Sequence, residues 1–163
     1  MYIRSNLVTW SPTYSVGLKP IDDQHKKILN LVNEMYNHIA ADEEAELAYS
    51  KKIIQQTVEY IRVNFATEEK ILLITKFPEY AEHKSAHESF ILTLIGNMKD
   101  VENGKKLNIT AFTHFLRDWI LTHIAIMDRQ HFESLRKNIG NLKKENNALI
   151  TDPQNIDSKY SLS

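Results

Sequence analysis

The chain contains no cysteine, which excludes disulfides, thiolate metal sites and cysteine nucleophiles together. Glycine and proline are scarce, four of each in 163 residues. Clusters of turn residues between the apolar stretches are correspondingly few, which disfavours many short strands and favours long helices. Neither sign of charge is in excess, with 20 basic residues against 21 acidic ones, so there is no electrostatic footprint for nucleic acid or an anionic membrane. No apolar run is long enough to span a bilayer, and the opening MYIRSNLVTW has no continuous apolar stretch. These absences lead to the expectation of a cytoplasmic protein that binds neither nucleic acid nor membrane. The length suits one domain with a single core.

What is present is helical patterning. After an irregular arm with Trp10 and Tyr14, Gly17 and Pro20 mark the end of a loop, and Asp22 and Asp23 favour a helix N-terminus. The first helix is expected to run to about Ala40. Asp42 caps the second, whose first turn holds Glu43, Glu44 and Glu46 and which Phe77 and Pro78 break. Pro78 can open the third, Gly104 ends it, and Asn108 caps a fourth running to about Gly140. From Asn141 the sequence is polar and aperiodic and reads as a weakly ordered tail. The expected fold is all-α: an antiparallel up-down four-helix bundle over residues 1–140 with an N-terminal arm, then a polar C-terminal tail over 141–163.

Helical phase sorts the polar residues. At 100° per residue Glu68 lies on the stripe of Ile54, Ile61, Phe65 and Leu72, with Asn64 one turn away and Glu69 near the rim. His25 shares a face with Ile21, Leu29 and Val32; His83 and His87 share one with Phe90, Leu94 and Val101; His123 lies among Phe112, Leu116 and Trp119. His38 and His114 face away from the core, and His131 sits at the rim, so all three read as ordinary surface residues. Antiparallel packing then brings His25, Asn64, Glu68, His83, His87 and the segment HIAIMD (123–128) to one level of the bundle. Asp128 fits least well, because five residues of α-helix leave it 140° around from His123.

Each feature alone has a plain explanation. A single histidine on an apolar face is usually a hydrogen-bonded core residue, and spaced pairs such as His83 and His87 also occur on solvated helices. Trp119 and the phenylalanines read as packing. Together, however, four imidazoles and two carboxylates at one level hold too much buried polarity without a cation to share. The donor set suits iron, manganese or zinc better than calcium. Two carboxylates among the imidazoles suggest a metal pair bridged by Glu68 and Asp128, with His83, His87 and His123 on one metal and His25 on the other.

The segments TWSPTYSVGLKPIDDQHKKI, NFATEEKIL, FPEYAEHKSAHESF and FLRDWILTHIAIMD resemble the hemerythrin family, particularly its bacterial members, over about residues 7–139. The resemblance implies two non-haem irons on those ligands and reversible binding of dioxygen, as a carrier, store or sensor. One position departs from the pattern: Asn64 stands where the family has a histidine four residues before the bridging glutamate. A neutral amide is a poorer ligand than imidazole, and its shorter side chain leaves room for a water, so the His25 iron is expected to be weakened. The alternative function is a redox enzyme acting on peroxide, nitric oxide or dioxygen at the freed position, although no further core acid or base offers a proton. A third reading is a bundle that keeps metal only as a staple.

Overall fold

The computed structural model describes residues 5–151. A 3₁₀ turn, Pro12–Tyr14, leads into α1, Lys19–Asn37, followed by α2, Glu43–Ile74, and α3, Tyr80–Glu102. The fourth rod is built of α4, Ile109–Thr122, a π-helical turn, His123–Asp128, and α5, Arg129–Thr151. α2 packs on α1 and α3, and α1 packs on α4. This is the expected all-α bundle with its N-terminal arm. No helix among the described residues is long and apolar enough to cross a membrane.

Side-chain caps start two of the helices as anticipated. The Asp42 carboxylate accepts from Ala45 N at 2.8 Å, and the Asn108 amide oxygen accepts from Ala111 N at 2.9 Å, each occupying one otherwise free donor of a first turn. Asp22 holds the entry loop, taking Val16 N at 2.8 Å and the Ser15 hydroxyl at 2.6 Å. Gly17 there has φ +75, and a Cβ would overlap the Arg136 guanidinium.

The fourth rod corrects one expectation. Gly140 does not end it; helical backbone continues to Thr151. One glycine inside a helix costs only about 1 kcal/mol relative to alanine, and Leu142, Lys143, Lys144, Glu145, Ala148 and Leu149 are good helix formers. Residues 152–163, the remainder of the expected tail, lie outside the described residues.

Two apolar clusters sandwich a polar layer. The larger contains Ile28, Ile61, Phe65, Phe90, Leu94, Leu116, Ile120 and Ile124. The smaller contains Val16, Ile21, Leu72, Phe77, Phe132 and Leu135. Along every rod the buried polar residues fall between them: His25 between Ile21 and Ile28, Glu68 between Phe65 and Leu72, His83 and His87 between Phe77 and Phe90, and Asp128 between Ile124 and Phe132. The oil on both sides keeps water from the layer and makes every unpaired polar atom in it costly.

The α2 C-terminus carries a Schellman motif. Phe77 N bonds to Leu72 O at 2.9 Å and Lys76 N to Leu73 O at 3.1 Å, with Leu72 and Phe77 both in the smaller cluster. The left-handed residue is Lys76, at φ 52, where glycine would avoid a steric cost of about 1–2 kcal/mol. Glycine also gives the unfolded chain more freedom, so Lys76→Gly is expected to stabilise the protein by a net ~0.5–1 kcal/mol. A higher urea midpoint with unchanged slope is the expected result; a lower midpoint would contradict this account of the cap.

Candidate metal centre

All six residues expected to meet do so, and all are buried: His25, Glu68, His83, His87, His123 and Asp128. Glu68 is fully inaccessible, and its two oxygens face opposite ways. Oε1 is 3.0 Å from His25 Nε2, whereas Oε2 is 3.3 Å from both His83 Nε2 and His87 Nε2. Asp128 repeats the division: Oδ2 is 3.4 Å from His25 Nε2, and Oδ1 is 2.9 Å from His123 Nε2 and 3.4 Å from His83 Nε2. The layer therefore has two poles, one at His25 and one among the three other histidines, joined by two carboxylates.

The π turn explains how Asp128 reaches this layer. Arg129 N bonds to Ile124 O, five residues back, so the turn is one residue wider than an α turn. Five residues then come close to one full turn, and His123 and Asp128 share a face instead of lying 140° apart.

Aromatic rings hold the imidazoles in place. His87 stacks on Phe65, with centroids 3.5 Å apart and planes within 2°. His123 stacks on Trp119 at 4.6 Å, and Trp119 on Phe90 at 3.8 Å. Outer hydrogen bonds add to this: His87 Nδ1 is 2.9 Å from Glu69 Oε1, and His83 Nδ1 is 2.9 Å from His131 Nδ1. Such contacts orient a ligating imidazole and fix which nitrogen it presents. His25 Nδ1, by contrast, is buried without a partner, so the pole at His25 is the less braced.

Three features escaped the sequence reading. His131 is no ordinary surface residue but is half-buried against His83; the π turn alters the phase of everything after it, so no α-helical count could place it there. Glu69, put at the rim, reaches His87, so acid and base groups do adjoin the site. Gln24 touches Asn64 (Nδ2 to Oε1, 3.3 Å), a contact that depends on how α1 and α2 rotate against each other. His38 and His114 also depart from expectation, being half-buried: His38 stacks on Tyr49 with centroids 3.4 Å apart, and His114 meets the Tyr36 ring edge-on at 6.3 Å. Neither joins the polar layer.

Asn64 is buried and donates from Nδ2 to Glu68 Oε1 at 2.8 Å. It thus stands at the His25 pole with an N–H directed at the Glu68 carboxylate.

The electrostatics show what the layer requires. Burial alone would lower the His25 pKa, yet the Asp128 and Glu68 carboxylates reverse this and raise it to about 9. Burial would likewise raise Glu68, but hydrogen bonds from His25, His83 and His87 hold its carboxyl well below the usual range. For His131, burial and then the nearby His83 hold the pKa below the ordinary value. Positive charge on His25 is thus favoured by the two buried carboxylates beside it.

A metal fits these atoms. Both Asp128 oxygens are buried without a hydrogen-bond partner, despite nitrogens nearby. One ligand atom each from Glu68, His83, His87, His123 and Asp128 lies within 4.8 Å of the others. Bonds of ~2.1 Å at right angles would place neighbouring donors about 3 Å apart, close to the 2.9–3.4 Å separations seen.

Comparison with known proteins gives the same picture. Residues 16–135 match the family model described as the hemerythrin HHE cation binding domain. The bacteriohemerythrin of Methylococcus capsulatus is 26% identical over 124 residues, spanning 76% of this chain and 92% of that protein. The myohemerythrin of Sipunculus nudus is 28% identical over 119 residues, 73% of this chain and 86% of that protein. A crystal structure of wild-type hemerythrin aligns with TM-score 0.71 at 26% identity, covering 79% of this chain and 98% of that one.

The raised His25 value sets a pH test for the metal-free protein. A group raised from 6.5 to about 9 on folding contributes stability that is complete below pH 6.5 and lost as pH rises through about 9, up to about 3 kcal/mol shared with Glu68. Metal binding requires neutral imidazoles and is opposed by protons. We predict that the urea midpoint of chelator-treated protein falls between pH 6.5 and 9.5 while that of iron-loaded protein does not. Parallel behaviour of the two forms would contradict the account.

Proposed function

Because the chain belongs to the hemerythrin family, whose members are non-haem iron proteins that bind dioxygen, we propose that its two-pole layer holds iron and takes up dioxygen, with His83, His87, His123, Glu68 and Asp128 forming the stronger iron position. The observation that carries this reading is the division of both buried carboxylates, each with one oxygen toward His25 and the other toward the three-histidine pole. When bound, the iron supplies electrons and an open coordination position for dioxygen. The protein's own residues do the remaining work. Glu69 and His131 orient His87 and His83 through their outer nitrogens, Phe65 and Trp119 brace two rings, and the flanking clusters exclude water.

The His25 pole is the weaker position. It offers His25 Nε2, Glu68 Oε1 and Asp128 Oδ2, and Asn64 adds a donor where a ligand would be needed. Those three atoms would hold a second iron only loosely, and its redox chemistry would be correspondingly more open to solvent. This supports a secondary reading as a redox enzyme acting on peroxide, nitric oxide or dioxygen, and Glu69 and His131 beside the centre provide acid and base groups that the sequence had not revealed.

Anaerobic ferrous loading tests both readings. The expected result is one tightly held iron per chain and a weaker second, with Asn64→His raising iron content toward two and, after oxidation in air, bringing in the charge-transfer absorption of a bridged diferric pair. Glu68→Gln is expected to reduce binding at both poles at least tenfold, since a charged partner is lost from each. A coloured adduct formed in air and reversed by deoxygenation favours oxygen binding, whereas sustained consumption of peroxide or nitric oxide favours catalysis. Failure of the loaded protein to retain any iron through gel filtration would exclude both.

A further inference from the structure

A run of hydrogen bonds leads from the α2 backbone to Glu68 through the α1–α2 interface, and its outer end sets its direction. The Val63 carbonyl can only accept, so the Thr67 hydroxyl 2.8 Å away commits its single proton there. Thr67 Oγ1 must then accept from Gln24, which presents Nε2 at 3.0 Å. That orientation turns Gln24 Oε1 toward Asn64, which answers with Nδ2 at 3.3 Å. The second N–H of the same nitrogen goes to Glu68 Oε1 at 2.8 Å. Reversing the Asn64 amide would set its oxygen against two other acceptors, the Gln24 carbonyl and the Glu68 carboxylate.

We infer that Gln24 and Thr67 are positioning residues that lock Asn64 as a hydrogen-bond donor to Glu68, and so limit the chain to one tightly held iron. The inference rests on reading the layer as an iron centre and explains its asymmetry further. An asparagine free to rotate could turn its carbonyl oxygen toward a cation as a weak ligand. Here the relay removes that option and also occupies the Glu68 oxygen that faces His25. Gln24 and Thr67 themselves are half-buried and need not touch metal. Their effect passes through the polarity of one amide.

Anaerobic Fe(II) titration by calorimetry, with iron analysis after gel filtration, tests this in the full chain. Wild type is compared with Thr67→Val, Thr67→Ser, Gln24→Met, Asn64→Leu and Asn64→His, with helicity of each checked by circular dichroism. Thr67→Val frees Gln24 to turn over, and Gln24→Met removes the acceptor facing Asn64. Each is expected to tighten the second Fe(II) equivalent about tenfold, the scale of one hydrogen bond, with the first equivalent within about twofold. Thr67→Ser keeps the hydroxyl and should match wild type, and Asn64→Leu, which has no oxygen to turn, should not tighten the second equivalent. After the loaded proteins are oxidised in air, the diferric absorption should strengthen only in variants whose second equivalent tightens. If Asn64→His fills the second position while Thr67→Val and Gln24→Met leave it as in wild type, the relay is overturned but the iron centre stands. Two tight equivalents in wild type would also overturn the relay, and no Fe(II) uptake by any variant would remove the iron centre itself.

Discussion

Two fully buried carboxylates, each shared between imidazoles at two poles, are the constraint around which this bundle is built. Glu68 and Asp128 lie between apolar clusters, and ionised acids are not tolerated in oil without positive charge nearby. Protons can meet that need, as the raised His25 and depressed Glu68 values show. A cation meets it with the donor geometry already in place, because both Asp128 oxygens lack hydrogen-bond partners. Metal binding and folding are thereby coupled: the same ligands that would hold iron are an electrostatic cost to the bundle when neither proton nor metal is present.

The support around the two poles is unequal. At the three-histidine pole, Glu69 and His131 hold the outer nitrogens of His87 and His83, while Phe65 and Trp119 fix ring planes. At the other pole His25 Nδ1 is buried without a partner, and Asn64 directs an N–H at the Glu68 oxygen that faces His25. Orientation by outer contacts governs how well a site holds its ion. The ligand layer is thus complete in outline, while its outer hydrogen bonds gather at the three-histidine pole.

The π turn is a local distortion with a structural consequence at the centre. An α-helix would present either His123 or Asp128 to the layer; widening one turn presents both. It also rephases the rest of the rod, so that Phe132 enters the smaller cluster and His131 meets His83. Isolated π turns forgo regular α-helical bonding, and their frequency at functional sites reflects this kind of side-chain placement.

Local chemistry determined much of the molecule. Asp42 and Asn108 could be recognised as caps because each needs only a side-chain oxygen next to a free first-turn N–H. The 3.6-residue period picked out His25, Asn64, Glu68, His83, His87 and His123 as inward-facing, and antiparallel packing put them at one level. The continuation past Gly140 was missed because one glycine is a weak helix breaker. Asp128 beside His123 depended on a turn of non-standard width, and the pairings of Gln24 with Asn64, Glu69 with His87 and His131 with His83 depended on the rotation of whole helices against one another. These joined residues 40, 18 and 48 positions apart. A repeat within one helix specifies which face is apolar; it carries no information about the azimuth and axial offset of a neighbouring rod, and only packing of the complete bundle set those.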